Sequence, residues 1–377
     1  MNPLKKLHEQ AEAEFQPYGD MEIVSTFGEP QAEYAAVRKG CAMMDMPQGG
    51  ILQATGPDRI DFLNRLLTNQ LVGRDTKTPL AAGAGVYSFL LNNKGRIVAD
   101  MNILERGDRT LLETDARNIA NIRDIFEKHL FSEKVQFTSL TETNHQIAFH
   151  GPGSIEILQN LFGMAPQLEL LGSAAVKFDE TEAVIWHDDP CGVPGYKILI
   201  PSESAARLWM AILSAFQSAD PGKRQVRPIG WAVFNTARIE AGRPLFGIDF
   251  DETVLPAETG QLNRAVSFTK GCYLGQEIVA RMHARGQLAR QIVGIRMRED
   301  ALPIAGAPIF DDKQNQIGGI TSSTISPILS NASICLGLVK SAFSPVGTQI
   351  QIAAEGAFRA ATVAELPFVK TAAANFK

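Results

Sequence analysis

The segment Lys270-Gly271-Cys272-Tyr273-Leu274-Gly275-Gln276-Glu277 places a thiol between two glycines, beside an amine, a phenol, an amide and a carboxylate. A nearby cation lowers a thiol's pKa and makes it a nucleophile or a metal ligand. Flanking glycines let the backbone turn sharply or come close to a ligand. Lys270 is the nearest cation, so Cys272 and Lys270 form a first candidate catalytic pair, with Lys270 favouring the thiolate. The plainer reading is a small core residue in a loop that enters a helix, which is how most free cysteines serve. Exposure of Cys272 separates the two.

Three other segments hold residues able to do chemistry. Val86-Tyr87-Ser88-Phe89-Leu90-Leu91 and Ile97 to Leu104 read as two strands joined by the turn Asn92-Asn93-Lys94-Gly95. Asp100 follows the apolar run Ile97-Val98-Ala99, and a carboxylate in such a strand is costly to bury without a partner. It is either aimed at a ligand or simply exposed. Arg238-Ile239-Glu240-Ala241-Gly242-Arg243-Pro244 reads as a helix end and a turn. Glu240 there could accept two hydrogen bonds from a flat amino-heterocycle, or form a surface pair with Arg238 or Arg243, worth little. Finally, Ile278 to Arg298 carries Arg281, Arg285, Arg290, Arg296, Arg298 and His283 and no acid. It is either a strip for a polyanion, such as a polyglutamate tail or an RNA backbone, or a solvated face balanced by Asp249, Asp251, Glu252 and Glu258.

The elements that position these residues are mixed. A length of 377 residues exceeds one ordinary core and predicts two or three domains. With 45% hydrophobic and 20% charged residues the composition is that of a soluble globular protein. A net charge of −5 argues against a general nucleic-acid coat. The cysteines, Cys41, Cys191, Cys272 and Cys335, form no Cys-x-x-Cys pair, which argues against a zinc site or a disulfide framework and for a reducing cytoplasm. No secretory signal and no apolar run of membrane-spanning length is present. The scattered histidines make no helical pair, so no metal is expected. "ATGPDRIDFLNRLL" at 54 and "AFHGPGSIEILQNLF" at 148 share one strand–turn–helix pattern, predicting two related α+β units. Helices are expected over 116–131, 201–214 and 231–240. After about Gln291, short strands separated by Gly, Pro and Asn predict an all-β module of sandwich or barrel type.

Taken in order, these segments resemble the folate-binding family that contains the glycine-cleavage T-protein and the YgfZ-type iron–sulfur maintenance proteins. "AAVRKGCAMMDM" at 35 is similar to the family's opening helix, and "VYSFLLNNKGRIVADMNIL" at 86 to its folate-facing hairpin. "ARIEAGRPLFGIDFDETVLPAE" at 237 is similar to its arginine-x-glutamate-alanine-glycine signature, and "GGITSSTISP" at 318 and "AELPF" at 364 to its C-terminal β domain. "FTKGCYLGQE" at 268 is similar to the YgfZ signature.

The resemblance implies an α+β fold of three domains in a cloverleaf. Residues 1–50 with 140–285 would form one α+β domain, 51–139 an interleaved second, and 286–377 a β barrel or jelly roll. It implies tetrahydrofolate, or a 5-substituted derivative, as cofactor. Asp100 would lie near the reacting nitrogens, Tyr87 beside the ring and Glu240 on the pterin, with Arg281 and Arg285 at the glutamate tail. A T-protein asparagine corresponds to about Asp115, and a T-protein tyrosine to Leu104. The T-protein arginine-threonine-glycine-tyrosine loop is replaced by His187-Asp188-Asp189-Pro190-Cys191-Gly192. The YgfZ-type reading, with Cys272 as the thiol and iron–sulfur client or assembly proteins as partners, comes first. The alternatives are a folate-dependent aminomethyltransferase or demethylase acting with a lipoyl carrier protein, and an RNA-binding adaptor.

Overall fold

Each of two strand–turn–helix passages hinges on a glycine that a side chain could not replace. Gly56 sits at φ +104°, and a Cβ there would lie 2.0 Å from the Lys134 carbonyl oxygen; Gly151 sits at φ +123°, and its Cβ would lie 2.4 Å from the Gly40 oxygen. The computed structural model describes residues 2–163, 167–216, 226–286 and 288–370, and of Arg285 the backbone alone. The chain divides into two compact units. The first comprises Met1–Asn64, Leu71–Tyr87 and Met101–Phe234, and the second Arg65–Gln70, Ser88–Asp100 and Asn235–Lys377.

The first unit begins with helix α1 (Lys5–Gln10), hairpin β1 (Glu14–Tyr18) and β2 (Met21–Thr26), and α2 (Pro30–Lys39). Its six-stranded sheet has the order β10 (Ser173–Phe178), β11 (Thr181–His187), β12 (Gly195–Pro201), β9 (Asn144–His150), β3 (Cys41–Asp45), β13 (Val226–Ile229). Only β13 runs parallel to its neighbour. Strand alternation sends Ile147, Phe149, Ile198 and Ile200 to one face. There they pack with Leu158 of α5 (Ser154–Phe162) and with Leu208, Trp209 and Ile212 of α6 (Ser202–Ala215). The opposite face carries Gln146, His150 and Lys197, all buried. A polar set inside a fold needs partners, and those partners define part of the candidate site.

The five-stranded sheet has the order β5 (Gly85–Leu91), β6 (Ile97–Glu105), β7 (Arg109–Asp115), β4 (Gly49–Thr55), β8 (Gln136–Ser139). On it Asn102 of β6 lies directly opposite Glu113 of β7. Helices α3 (Arg59–Leu66) and α4 (Ile119–Lys128) bury their apolar stripes, and Phe62 of α3 meets Phe126 of α4 edge to face at 6.2 Å.

The second unit takes up the chain within α7 (Trp231–Glu240), at Asn235, and continues through loops, the short α8 (Leu262–Ala265) and α9 (Gln276–Arg285). Strands β14 (Arg290–Met297), β15 (Pro308–Phe310), β16 (Gln316–Ser326), β17 (Ala332–Lys340), β18 (Gln349–Ala354) and β19 (Ala357–Ala364) follow. They form a closed barrel in the order β14-β17-β16-β15-β18-β19, with β19 paired back to β14. Val293, Ile295, Ile350, Ile352, Ala361 and Val363 alternate inward to fill it. Closure leaves no unpaired edge, so the module is a barrel rather than a sandwich.

Two sequence readings need correction. Residues 35–46 are not one helix, because α2 ends at Lys39 and Cys41–Asp45 is a central strand, buried at every position. The missing signal was alternation, which is lost when a strand is covered on both faces. Strand β19 was not expected, since its alanines have low β-propensity; it is recruited because it closes the barrel. Among the described residues no helix is long and apolar enough to cross a membrane.

Candidate functional site

In the second unit, the arginine-x-glutamate turn is an interior structure. Arg238 and Asp249 are an ion pair with both side chains fully buried. Arg238 also donates to Asn235 Oδ1 at 2.8 Å and to Ser322 Oγ of β16 at 2.5 Å. Asp249 accepts from Thr321 Oγ1 at 2.7 Å and from the Leu245 amide at 2.9 Å. Glu240 is fully buried and accepts from Ser326 Oγ, also on β16. The surface-pair reading of Glu240 therefore falls. The motif ties the end of α7 to the barrel wall.

In the same unit the thiol and the amine differ in exposure. Cys272 is exposed, whereas Cys41, Cys191 and Cys335 are buried, so the core-cysteine reading does not apply to Cys272. Lys270 is buried, donates to the carbonyls of Leu67 at 2.6 Å and Asn69 at 2.8 Å, and lies 5.1 Å from the Tyr273 ring centroid. Burial pulls its pKa down to about 7 from 10.5. The unfolded chain thus holds a proton on Lys270 through a range in which the folded chain has released it. Between pH 7 and 10.5 this group makes stability rise with pH. Thermal melting across that range should show the rise, and Lys270→Met should flatten it; equal slopes would mean that the two carbonyls keep the amine charged.

Asp100 is half-buried on β6 in the second unit, and Tyr87 is buried on β5 in the first, at 6% exposure. Asp115 accepts from the Tyr18 hydroxyl at 2.8 Å, from the Arg117 amide at 2.9 Å and from Arg117 Nη2 at 2.7 Å, so it is committed to a local cap and ion pair. Arg281 pairs across one turn of α9 with Glu277 at 2.7 Å, in a contact exposed on both sides. The side chain of Arg285 lies outside the described residues. Arg290 meets Glu258 at 3.3 Å and Arg298 meets Thr362 at 3.1 Å. The basic strip is thus partly balanced.

A buried polar cluster in the first unit escaped the sequence reading. Lys197 of β12 donates to Glu113 Oε1 of β7 and to Asp188 Oδ2, both at 2.8 Å. Asn102 Nδ2 of β6 donates to Glu113 Oε2 at 2.7 Å. Burial penalises the Lys197 ammonium, yet Asp188 and Glu113 outweigh it and hold its pKa above the usual range. Asn102 Oδ1 and both ring nitrogens of His150 are buried without a hydrogen-bond partner among the described residues. Burial, with Lys197 adding to it, lowers the His150 pKa to about 4, so the ring is neutral near pH 7. The available signal was a lysine inside the apolar run Tyr196-Lys197-Ile198-Leu199-Ile200 and a glutamate inside Leu111-Leu112-Glu113. Such residues in a buried strand need partners.

The chain matches the GCVT N-terminal domain over residues 4–270 and the glycine cleavage T-protein C-terminal barrel domain over 290–370. It belongs to the glycine cleavage T-protein family. Similar relatives are named aminomethyltransferase. The one from Geobacillus sp. strain WCH70 is 28% identical, covering 98% of each chain. The one from Prosthecochloris aestuarii is 29% identical, covering 97% of this chain and 98% of that one. A solved structure, the glycine cleavage system aminomethyltransferase T from Bartonella henselae, superposes with a TM-score of 0.87 at 24% identity, covering 98% of this chain and 97% of that one. It supports the mixed α+β fold with its C-terminal barrel.

Proposed function

We propose that the protein binds a reduced folate, tetrahydrofolate or a 5-substituted derivative, and acts as an aminomethyltransferase: the carbon of an aminomethyl group on a lipoyl carrier protein passes to the folate as a methylene bridge, with release of ammonia and the free dihydrolipoyl thiol. The collinear match of both T-protein domains, with aminomethyltransferases aligned over nearly the whole chain, carries this reading. The first unit fits such a group on a feature of its own. Buried Asn102 offers an unpartnered acceptor beside the Glu113 carboxylate, which suits a ring with N–H groups. The folate supplies the nitrogens that carry the one-carbon unit. In this reading Asp100 faces those nitrogens and steadies positive charge as it develops, a task for a preorganised carboxylate. Tyr87 packs beside the ring. Arg281, on α9, meets the glutamate tail.

Calorimetric titration tests the cofactor. Tetrahydrofolate should bind, and its polyglutamate should bind more tightly at low salt, with the advantage shrinking as salt is added. Absence of binding by either form would overturn the reading.

A second reading is favoured by one observation, the exposure of Cys272 when every other cysteine is buried. A YgfZ-type role in assembly or repair of iron–sulfur enzymes would use that thiol on a client protein. It predicts that Cys272→Ser keeps folate binding and loses iron–sulfur support in cells.

A further inference from the structure

The interior-facing side of β12, β7 and β6 in the first unit carries a buried polar cluster. Lys197, Glu113, Asp188 and Asn102 are each at most 7% exposed, yet their hydrogen bonds to one another leave capacity over. A carboxylate oxygen can accept two hydrogen bonds and an ammonium can donate three. Glu113 Oε1 accepts one from Lys197 and Oε2 one from Asn102. Each oxygen therefore retains an acceptor site. Lys197 spends two of its protons on Glu113 and Asp188 and retains one. Asn102 Oδ1 is an acceptor with no partner among the described residues. A buried polar atom in that state costs stability unless a ligand or water meets it.

What is left over is a pattern, with acceptors on Glu113 and Asn102 next to a single donor on Lys197. Its complement is a flat group with adjacent N–H donors beside a carbonyl oxygen. Charge narrows the choice further. One ammonium against two carboxylates leaves the cluster negative, so an anionic edge is disfavoured. A free alkylammonium would lie against the Lys197 ammonium and be repelled by it. A neutral cyclic guanidine–amide edge, as in the pterin ring of a reduced folate, offers adjacent N–H donors beside a carbonyl oxygen, the donor–acceptor pattern complementary to these groups.

We infer that Glu113, braced by Lys197 and flanked by Asn102, is the specificity-determining group that reads the N–H edge of the folate ring in this protein. The inference rests on the folate reading above. It moves the pterin contact from Glu240, which is enclosed against Ser326 in the second unit, to a carboxylate in the first. Lys197 acts as a positioning residue, fixing the Glu113 carboxylate through its 2.8 Å hydrogen bond to Oε1.

Calorimetry on the full chain tests this with tetrahydrofolate and its 2-desamino-2-methyl analogue, which lacks the exocyclic N–H donors. The wild type should bind the analogue about tenfold or more weakly than tetrahydrofolate, the range for a lost hydrogen bond to a charged group. Glu113→Gln should weaken tetrahydrofolate by a similar factor and erase the discrimination. Asn102→Leu should weaken it too, and Glu240→Gln should leave it unchanged. Melting temperatures report whether each variant folds, and the wild-type comparison of the two ligands needs no variant. Equal affinity of the wild type for both ligands, or wild-type behaviour of a folded Glu113→Gln, would overturn the inference while leaving folate binding intact, with water alone then filling the cluster's free sites. Failure of the wild type to bind tetrahydrofolate would overturn both.

Discussion

Replacing Arg238 by Met should destabilise the barrel-bearing unit by about 3–5 kcal/mol, the cost of stranding one member of a buried ion pair. Arg238 and Asp249 are fully enclosed. Once the guanidinium is gone, the Asp249 carboxylate keeps only the Thr321 hydroxyl and the Leu245 amide as the donors described above, which cannot replace a formal charge in a dry interior. Ser322 Oγ and Asn235 Oδ1 lose a donor as well. The double variant Arg238→Met with Asp249→Leu should recover much of the loss, because removing both charges removes the desolvation cost too. Urea unfolding reads both. A loss below about 1 kcal/mol in the single variant would mean that the pair behaves as a solvated surface contact.

Asp100→Asn should lower aminomethyl transfer by roughly 10²–10³-fold, the range for removing one electrostatic stabiliser of a transition state. The substitution keeps the shape of the side chain and removes its charge. Asp100 is half-buried, so folding should change little and the loss should appear in kcat rather than in melting temperature. A change of less than about threefold, under 1 kcal/mol of barrier, would take Asp100 out of the chemistry.

Much of the fold could be read from the chain because its elements keep a clean period. Val86–Leu91 and Ile97–Leu104 alternate around a turn rich in Asn and Gly, and β5 and β6 fall there. Trp231–Glu240 was read to its ends as α7. Cys41–Asp45 was lost to a helix because burial on both faces erases alternation. The site was harder for a different reason. Glu113 and Lys197 are 84 residues apart in sequence, and only sheet topology brings them together. Asp115, two positions beyond Glu113, was the residue chosen from the sequence. The structure gives Asp115 to Tyr18 and Arg117 and places Glu113 in the cluster. An exposed Cys272 fits its place between two glycines, but the burial of Lys270 two positions before it was beyond local spacing. Both residues sit in one short loop, yet the ammonium turns to the carbonyls of Leu67 and Asn69, about two hundred residues away in sequence.

Folate-dependent aminomethyl transfer is read by a single-turnover assay. The full chain is mixed with tetrahydrofolate and an aminomethyl-loaded lipoyl carrier protein, and methylenetetrahydrofolate and ammonia are measured. The wild type should transfer the one-carbon unit, Asp100→Asn should show a large loss, and Cys272→Ser should keep wild-type rates. No transfer by a wild type that binds tetrahydrofolate, together with loss of iron–sulfur enzyme activity in cells carrying Cys272→Ser, would contradict it and leave the thiol-dependent reading in its place.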